Sequence, residues 1–232
     1  FAAAWTGLHE EAADIGVSVV TGHTARYEEC SFPWVGGATA LAVGDHGDVI
    51  RPDGARPGDD VLVTNGPAVE TTGLLTTLFG DRIDLDSDTL ATAQRRLDEA
   101  SCVRDAMTAA AAGPVTAMHD ATEGGLHGAF VEMATSAGVG FELARDRIPV
   151  RPGVEATCAA LDIDPWTATA SGSLVLTVDP DGTDAVLSAL DERGTEAARV
   201  GQVTADDGAW VDGERVDAPR VDASWAAYSD LS

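Results

Sequence analysis

At 232 residues, 44% of them hydrophobic, the chain has the length and apolar content for one large domain, or for one domain with part of another. Its 39 Asp and Glu face 14 basic residues, all of them arginine, for a formal net charge of −25. So acidic a chain repels phosphate backbones and anionic lipid, which excludes nucleic acid and membrane surfaces as partners, and no apolar run approaches the roughly 18 residues of a membrane-spanning helix.

The elements alternate along the chain. Trp5, Leu8, Ala12 and Ile15 fall on one helical face that Gly16 ends, and 17–20 reads as a strand. Residues 35–43 supply another strand. The stretch 44–60, dense in Gly, Asp and Pro, is a turn-rich break, taken as the boundary between a first domain over 1–45 and a second over 46–232. Beyond it the pattern predicts a strand over 61–64 and a helix over 68–79, with Pro67 in its first turn and Asn65 as its cap. One long helix follows from about 87 to 112, capped by Ser87 or Asp88. Strands over 115–118, 140–144, 173–178 and 198–203 then alternate with helices over 125–137, 152–161 and 182–193, and Asp212-Gly213 turns a hairpin within 210–216. The fold class is α/β (α+β), not a bundle or a sandwich. Cys30, Cys102 and Cys158 are widely spaced, so no disulfide framework or zinc site is indicated, and Cys30 reads as a packed thiol before a nucleophile.

The most informative junction is 115–137, where a short strand gives way to a helix through Asp120, Thr122, Glu123, Gly124 and Gly125. A helix N-terminus presents unpaired N–H groups and partial positive charge, and glycines admit a phosphate close to the main chain. Carboxylates there would repel that phosphate unless a divalent cation such as Mg²⁺ bridges the two. The competing reading is local: Asp120 and Thr122 cap the helix and the glycines only make the turn.

The segment Asp120-Ala121-Thr122-Glu123-Gly124-Gly125-Leu126, its apolar helix and Gly138-Val139-Gly140-Phe141-Glu142-Leu143 resemble the AIR synthetase (PurM-like) superfamily, which includes thiamine-monophosphate kinase, selenophosphate synthetase and HypE. Three further segments match in family order. Thr21-Gly22-His23-Thr24 stands where the family carries a Gly-Gly-acid-Thr turn, with His23 in the acidic place. The second runs from Pro57-Gly58-Asp59-Asp60 through Asn65-Gly66-Pro67 to Gly73, and the third from Arg147 through Ser171-Gly172-Ser173 into the strand that follows.

The resemblance implies a PurM-like C-terminal α/β domain behind the remnant of an N-terminal dimerisation and ATP-binding domain, in a chain that begins at Phe1 as part of a longer protein. It implies an ATP- and Mg²⁺-dependent enzyme that activates a substrate oxygen by phosphoryl transfer, acting on a small-molecule or protein substrate as a cytoplasmic homodimer. Asp120, Glu123 and His23 are then the candidate catalytic groups, and Asp120 and Glu123 the magnesium ligands. Gly22, Thr24, Thr122, Gly124, Gly125 and Asn65 would line the nucleotide. HypE relatives carry a terminal cysteine, whereas this sequence closes on Leu231-Ser232, so the substrate stays unassigned. A thiamine-monophosphate-kinase-like or selenophosphate-synthetase-like kinase, and a non-catalytic scaffold that binds nucleotide or a partner, remain the alternatives. A neutral imidazole suits Mg²⁺ poorly, which leaves His23 either a hydrogen bond to substrate or a place in the turn.

The acidic excess is spread through patterned sequence rather than gathered in a tail, as expected of a surface adapted to molar salt, where screening shortens to about 3 Å. A halophilic archaeal origin follows as an expectation. The thermal midpoint should fall when the protein is dialysed from molar KCl into dilute buffer; an unchanged midpoint would refute it.

Overall fold

The computed structural model describes residues 2–23 and 37–232, and it divides into two compact units, Phe1–Val49 and Ile50–Ser232. In the first unit, α1 (Ala2–Asp14) ends at Gly16, whose φ of 75° gives the left-handed exit expected of a helix-terminating glycine. The strand expected over 17–20 does not form, nor does any strand over 37–43; residues 35 and 36 lie outside the described residues. Val20, Leu41 and Val43 stand almost fully exposed. β-branched residues favour an extended chain, but a strand exists only through a paired neighbour, and none meets these segments among the described residues.

The second unit is built on a seven-stranded sheet. Its strands are β1 (Asp60–Thr64), β2 (Val115–Asp120), β3 (Gly140–Leu143), β4 (Leu174–Val178), β5 (Ala197–Thr204), β6 (Gly208–Val211) and β7 (Glu214–Val216), in the order β2-β4-β1-β5-β3-β6-β7. All neighbours are antiparallel except β3 and β6. The helices are α2 (Val69–Phe79), α3 (Ser87–Gln94), α4 (Val103–Ala112), α5 (Gly125–Ala137), α6 (Val154–Ala160), α7 (Thr183–Arg193) and α8 (Ser224–Leu231). This is the mixed α/β fold that the alternation predicts. Among the described residues no helix is long and apolar enough to cross a membrane.

Central strand β1 is buried along its whole length because both faces of the sheet are covered there. Val61 and Val63 pack with Leu126, Phe130 and Met133 of α5, while Leu62 faces Ala109 of α4 and Val186 and Leu190 of α7. A third cluster joins Leu75 of α2, Val154 and Cys158 of α6 and Ala227 of α8. The Asp212-Gly213 hairpin forms with φ of 53° and 81°, both left-handed, as a two-residue turn between twisted strands requires.

The single helix expected over 87–112 is broken. α3 is followed by a tight 3-10 turn over Arg95–Glu99, and α4 starts afresh at Val103; the cap is neither Ser87 nor Asp88 but Asp86, accepting from the N–H groups of Asp88 and Thr89 at 3.0 Å each. No glycine or proline marks the break. Tertiary contact imposes it: the 96–97 backbone lies against Gly73 of α2, and the Glu99 carbonyl lies against Gly172 so closely that any side chain there would overlap it.

Gly73 offers a sign test. An interior helical Gly→Ala change ordinarily stabilises by about 0.5–1 kcal/mol, but here the added methyl would overlap the Leu97 nitrogen and lie 2.7 Å from its Cα. Gly73→Ala should therefore lower the denaturant midpoint in high salt; a raised midpoint would show that the turn yields freely.

Candidate functional site

Register places the junction at one end of the sheet. Asp120 pairs with Leu174 and Val63 with Val175, so β2 and β1 leave the sheet where the chain enters β4. The exit of β2 is stitched to the approach to β4: the Ala121 N–H donates to the Ser173 carbonyl at 3.0 Å, and the Ala170 N–H to the Ala121 carbonyl at 3.1 Å. At the same end the Asn65 amide donates to the Gly172 carbonyl at 2.9 Å and the Ser173 hydroxyl to the Gly66 carbonyl at 2.6 Å. Asn65, buried and left-handed at φ 55°, does not cap α2; that position is held by Ala68, also left-handed, with no side-chain cap. The reason is distance: Asn65 is committed to a backbone carbonyl of the turn that leads into β4, and three residues still separate it from Val69.

The turn itself divides inside from outside. Ala121, Gly124 and Gly125 are buried, while Asp120, Thr122 and Glu123 point outward. Gly124 and Gly125 have φ of 82° and 59°, and a methyl on Gly125 would come within 2.6 Å of the Ala168 carbonyl and 2.8 Å of that of Trp166. Glycine is required there by backbone and packing together.

Neither Asp120 nor Thr122 caps α5 through its side chain. The Gly124 N–H instead donates to Asp222 Oδ2 at 2.7 Å, and the Gly125 N–H to the Thr122 carbonyl at 3.0 Å. Both glycine N–H groups expected to face a phosphate are thus spent within the protein in this conformation. Asp222 is buried and also accepts from Thr169 Oγ1 at 2.8 Å and from the N–H and hydroxyl of Ser224. Burial pushes its carboxyl up, but the hydrogen bonds from Ser224, Gly124 and Thr169 outweigh that and hold it below the ordinary carboxylate value. Sequence reasoning missed this residue, although Asp-Ala-Ser ahead of an apolar run is a helix-start signal.

Two further groups sit beside the turn. His119 lies between carboxylates, Nδ1 at 3.2 Å from Asp120 Oδ1 and Nε2 at 2.8 Å from Glu132 Oε2 on α5. Burial, then the charge of Asp120, raises the Cys102 thiol, which disfavours the nucleophilic thiolate. A cavity of about 380 Å³ opens next to the helix start, lined by Glu123, Gly124, Glu132, Pro219, Asp222 and Trp225. A larger hollow of about 780 Å³ over β3, β5 and β6, lined by Arg147, Arg199 and Trp210 among others, shares none of the turn's residues and is the solvated face of the sheet.

Gly22 and His23 belong to the first unit, where the Trp5 ring packs so near Gly22 that a methyl would meet it at 3.1 Å; Thr24 and Cys30 lie outside the described residues. Among the described residues no group of three or more His, Cys, Asp or Glu is gathered to hold a metal ion. Asp120 and Glu123 offer two outward carboxylates, a donor set that fits Mg²⁺ shared with phosphate oxygens and water better than a self-contained metal cage.

Residues 56–212 match the family model for the C-terminal domain of AIR synthase related protein. The carbamoyl dehydratase HypE of Rhizobium leguminosarum bv. viciae is 33% identical over 204 residues, covering 85% of this chain and 56% of that protein, so the chain spans about half the length of this relative. The fold is shared with thiamine-monophosphate kinase from Stenotrophomonas maltophilia (TM-score 0.59, 21% identity, 73% of this chain and 55% of the other). It is shared also with hydrogenase maturation protein HypE solved in complex with ATP (TM-score 0.56, 22% identity, 75% and 55%).

Because its folded value is depressed, Asp222 contributes stability that is present above its unfolded pKa of about 3.9 and is lost as pH falls through the folded value. Asp222→Asn should cost about 1.5–3 kcal/mol at pH 7, the range for hydrogen bonds to a charged group. The gap to the parent should narrow below about pH 4, read as unfolding midpoints across pH. A gap that widened in acid would contradict the assignment.

Proposed function

The chain belongs to the AIR synthase related family, and from that premise we propose that it is an ATP- and Mg²⁺-dependent enzyme that activates a substrate oxygen by phosphoryl transfer. The observation that carries the reading is the strand-to-helix turn, with Asp120, Thr122 and Glu123 turned outward at the start of α5 over a buried glycine pair. The HypE neighbour solved with ATP supports it. Asp120 and Glu123 would hold the cation, and Thr122 would donate its hydroxyl to a phosphate oxygen. Gly22, His23 and Thr24 are carried into the proposal by the family motif alone, and Asn65 holds the end of the sheet through the Gly172 carbonyl. Mg²⁺, when bound, supplies charge neutralisation at the phosphate oxygens. Phosphoryl transfer needs positioning and electrostatics more than a covalent nucleophile, and the raised Cys102 thiol agrees with a site that uses none.

The acceptor belongs to a small-molecule or protein substrate, and the working form is a homodimer in the salt-adapted cytoplasm of a halophile. A second reading, a scaffold that binds nucleotide or a partner without turnover, is favoured by one observation: the Gly124 and Gly125 N–H groups are already engaged inside the protein.

Isothermal titration of the protein with Mg-ATP in high salt, alongside Asp120→Asn, separates these readings. The enzyme reading expects binding, ATP hydrolysis, and a loss of affinity of about tenfold or more in the variant, equivalent to about 1.4 kcal/mol. Binding without hydrolysis supports the nucleotide-binding scaffold, and no heat of binding overturns both nucleotide-binding readings.

A further inference from the structure

His119 stands beside the turn in contact with Asp120, and the proposed chemistry assigns it no part. It stands at the penultimate position of β2 with only 21% of its side chain exposed, whereas the Asp120 and Glu132 carboxylates that it contacts are 51% and 56% exposed. A half-exposed aspartate at the end of a strand is free to sample several rotamers, and holding it in one orientation removes an ordering cost from any ligand it binds. The 3.2 Å contact from His119 Nδ1 restricts Asp120, and the 2.8 Å contact from Nε2 to Glu132 fixes the plane of the imidazole that does so. Glu132 lies two turns along α5, the helix that starts just after Glu123. The chain Asp120–His119–Glu132 therefore ties the end of β2 to that helix, and with it the two outward carboxylates of the turn.

We infer that His119, held by Glu132, is a positioning residue that presents the Asp120 carboxylate to the divalent cation of the nucleotide site. The inference rests on the function proposed above. Carboxylates and histidines behind a metal ligand commonly set its affinity by 10–100-fold without touching the metal. His119 acts in that way: the ring contacts Asp120 and Glu132 and is not itself a ligand, in keeping with the absence of a three-donor group among the described residues.

The test uses the whole chain in high salt, with Mn²⁺ plus ATP as the probe and the Mn²⁺ dissociation constant read by electron paramagnetic resonance. His119→Leu removes both contacts and should weaken Mn²⁺ about tenfold. His119→Asn keeps a polar group near the place of Nδ1 and should recover most of the affinity, a rescue that a merely structural role would not produce. Glu132→Gln should fall between the two, and it keeps the question answerable if His119→Leu does not fold. Parent-like Mn²⁺ affinity in His119→Leu, with affinity lost in Asp120→Asn, overturns the positioning role and leaves the nucleotide site standing. Unchanged affinity in Asp120→Asn overturns both.

Discussion

The Asp222 carboxylate organises the functional end of the domain because it answers an obligation that α5 cannot meet alone. A helix start leaves backbone N–H groups without partners, and a buried one must find acceptors. Gly124 is buried at that start, Thr122 and Glu123 just ahead of it project outward, and no nearby side chain caps it. Asp222 closes the gap from 98 residues away and in the same step binds Thr169 and the first turn of α8. Three segments converge on one carboxylate: the start of α5, the approach to β4, and the stretch that runs over the turn into α8.

That convergence explains why the turn presents the side chains it does. With the glycine pair pressed under the 166–168 backbone and its N–H groups satisfied, the turn's outward chemistry is carried by the side chains of Asp120, Thr122 and Glu123. A phosphate meeting this surface faces carboxylates, so it needs a cation between, and the two-carboxylate donor set matches the few protein ligands Mg²⁺ takes when phosphate supplies the rest. On the proposed function the internal cap bears on the mode of binding as well as on stability, since a nucleotide would then be recognised through side chains and metal in place of a backbone cradle.

Much of this architecture is legible in the sequence, and the exceptions share a cause. The buried strands 61–64 and 174–178 announce themselves as β-branched runs between turn residues, and α5 by the spacing of Leu126, Phe130 and Met133. The Asp212-Gly213 pair marks its hairpin in the sequence because both residue types tolerate the left-handed φ that a two-residue turn requires. What local pattern does not reveal is non-local. The break after Gln94 exists because Gly73 and Gly172 admit a foreign backbone, Asn65 serves a carbonyl 107 residues away, and 17–20 has strand character but meets no partner among the described residues. The turn's outward carboxylates could be read from spacing; Asp222 and the His119–Glu132 contact depend on which elements the fold brings beside it.

The charge of −25 sharpens this contrast between local field and direct contact. The inward carboxylates are individually matched: Asp60 by Arg199 and Thr183, Asp105 by Arg193 and Thr195, Glu99 by both Arg96 and the forked guanidinium of Arg151. Arginine suits these places because its planar fork donates in two directions at once, as Arg151 does to Glu99 and Glu196. With several of the few cations engaged in this way, the acidic excess is left to the surface, where the molar salt expected from the composition would screen it within about 3 Å. Under that screening a diffuse negative field reaches only a few ångströms and draws even a divalent cation weakly. Selectivity must then come from oxygen ligands held at bonding distance, so that on the proposed function the restraint of Asp120 would matter more than the number of carboxylates around it.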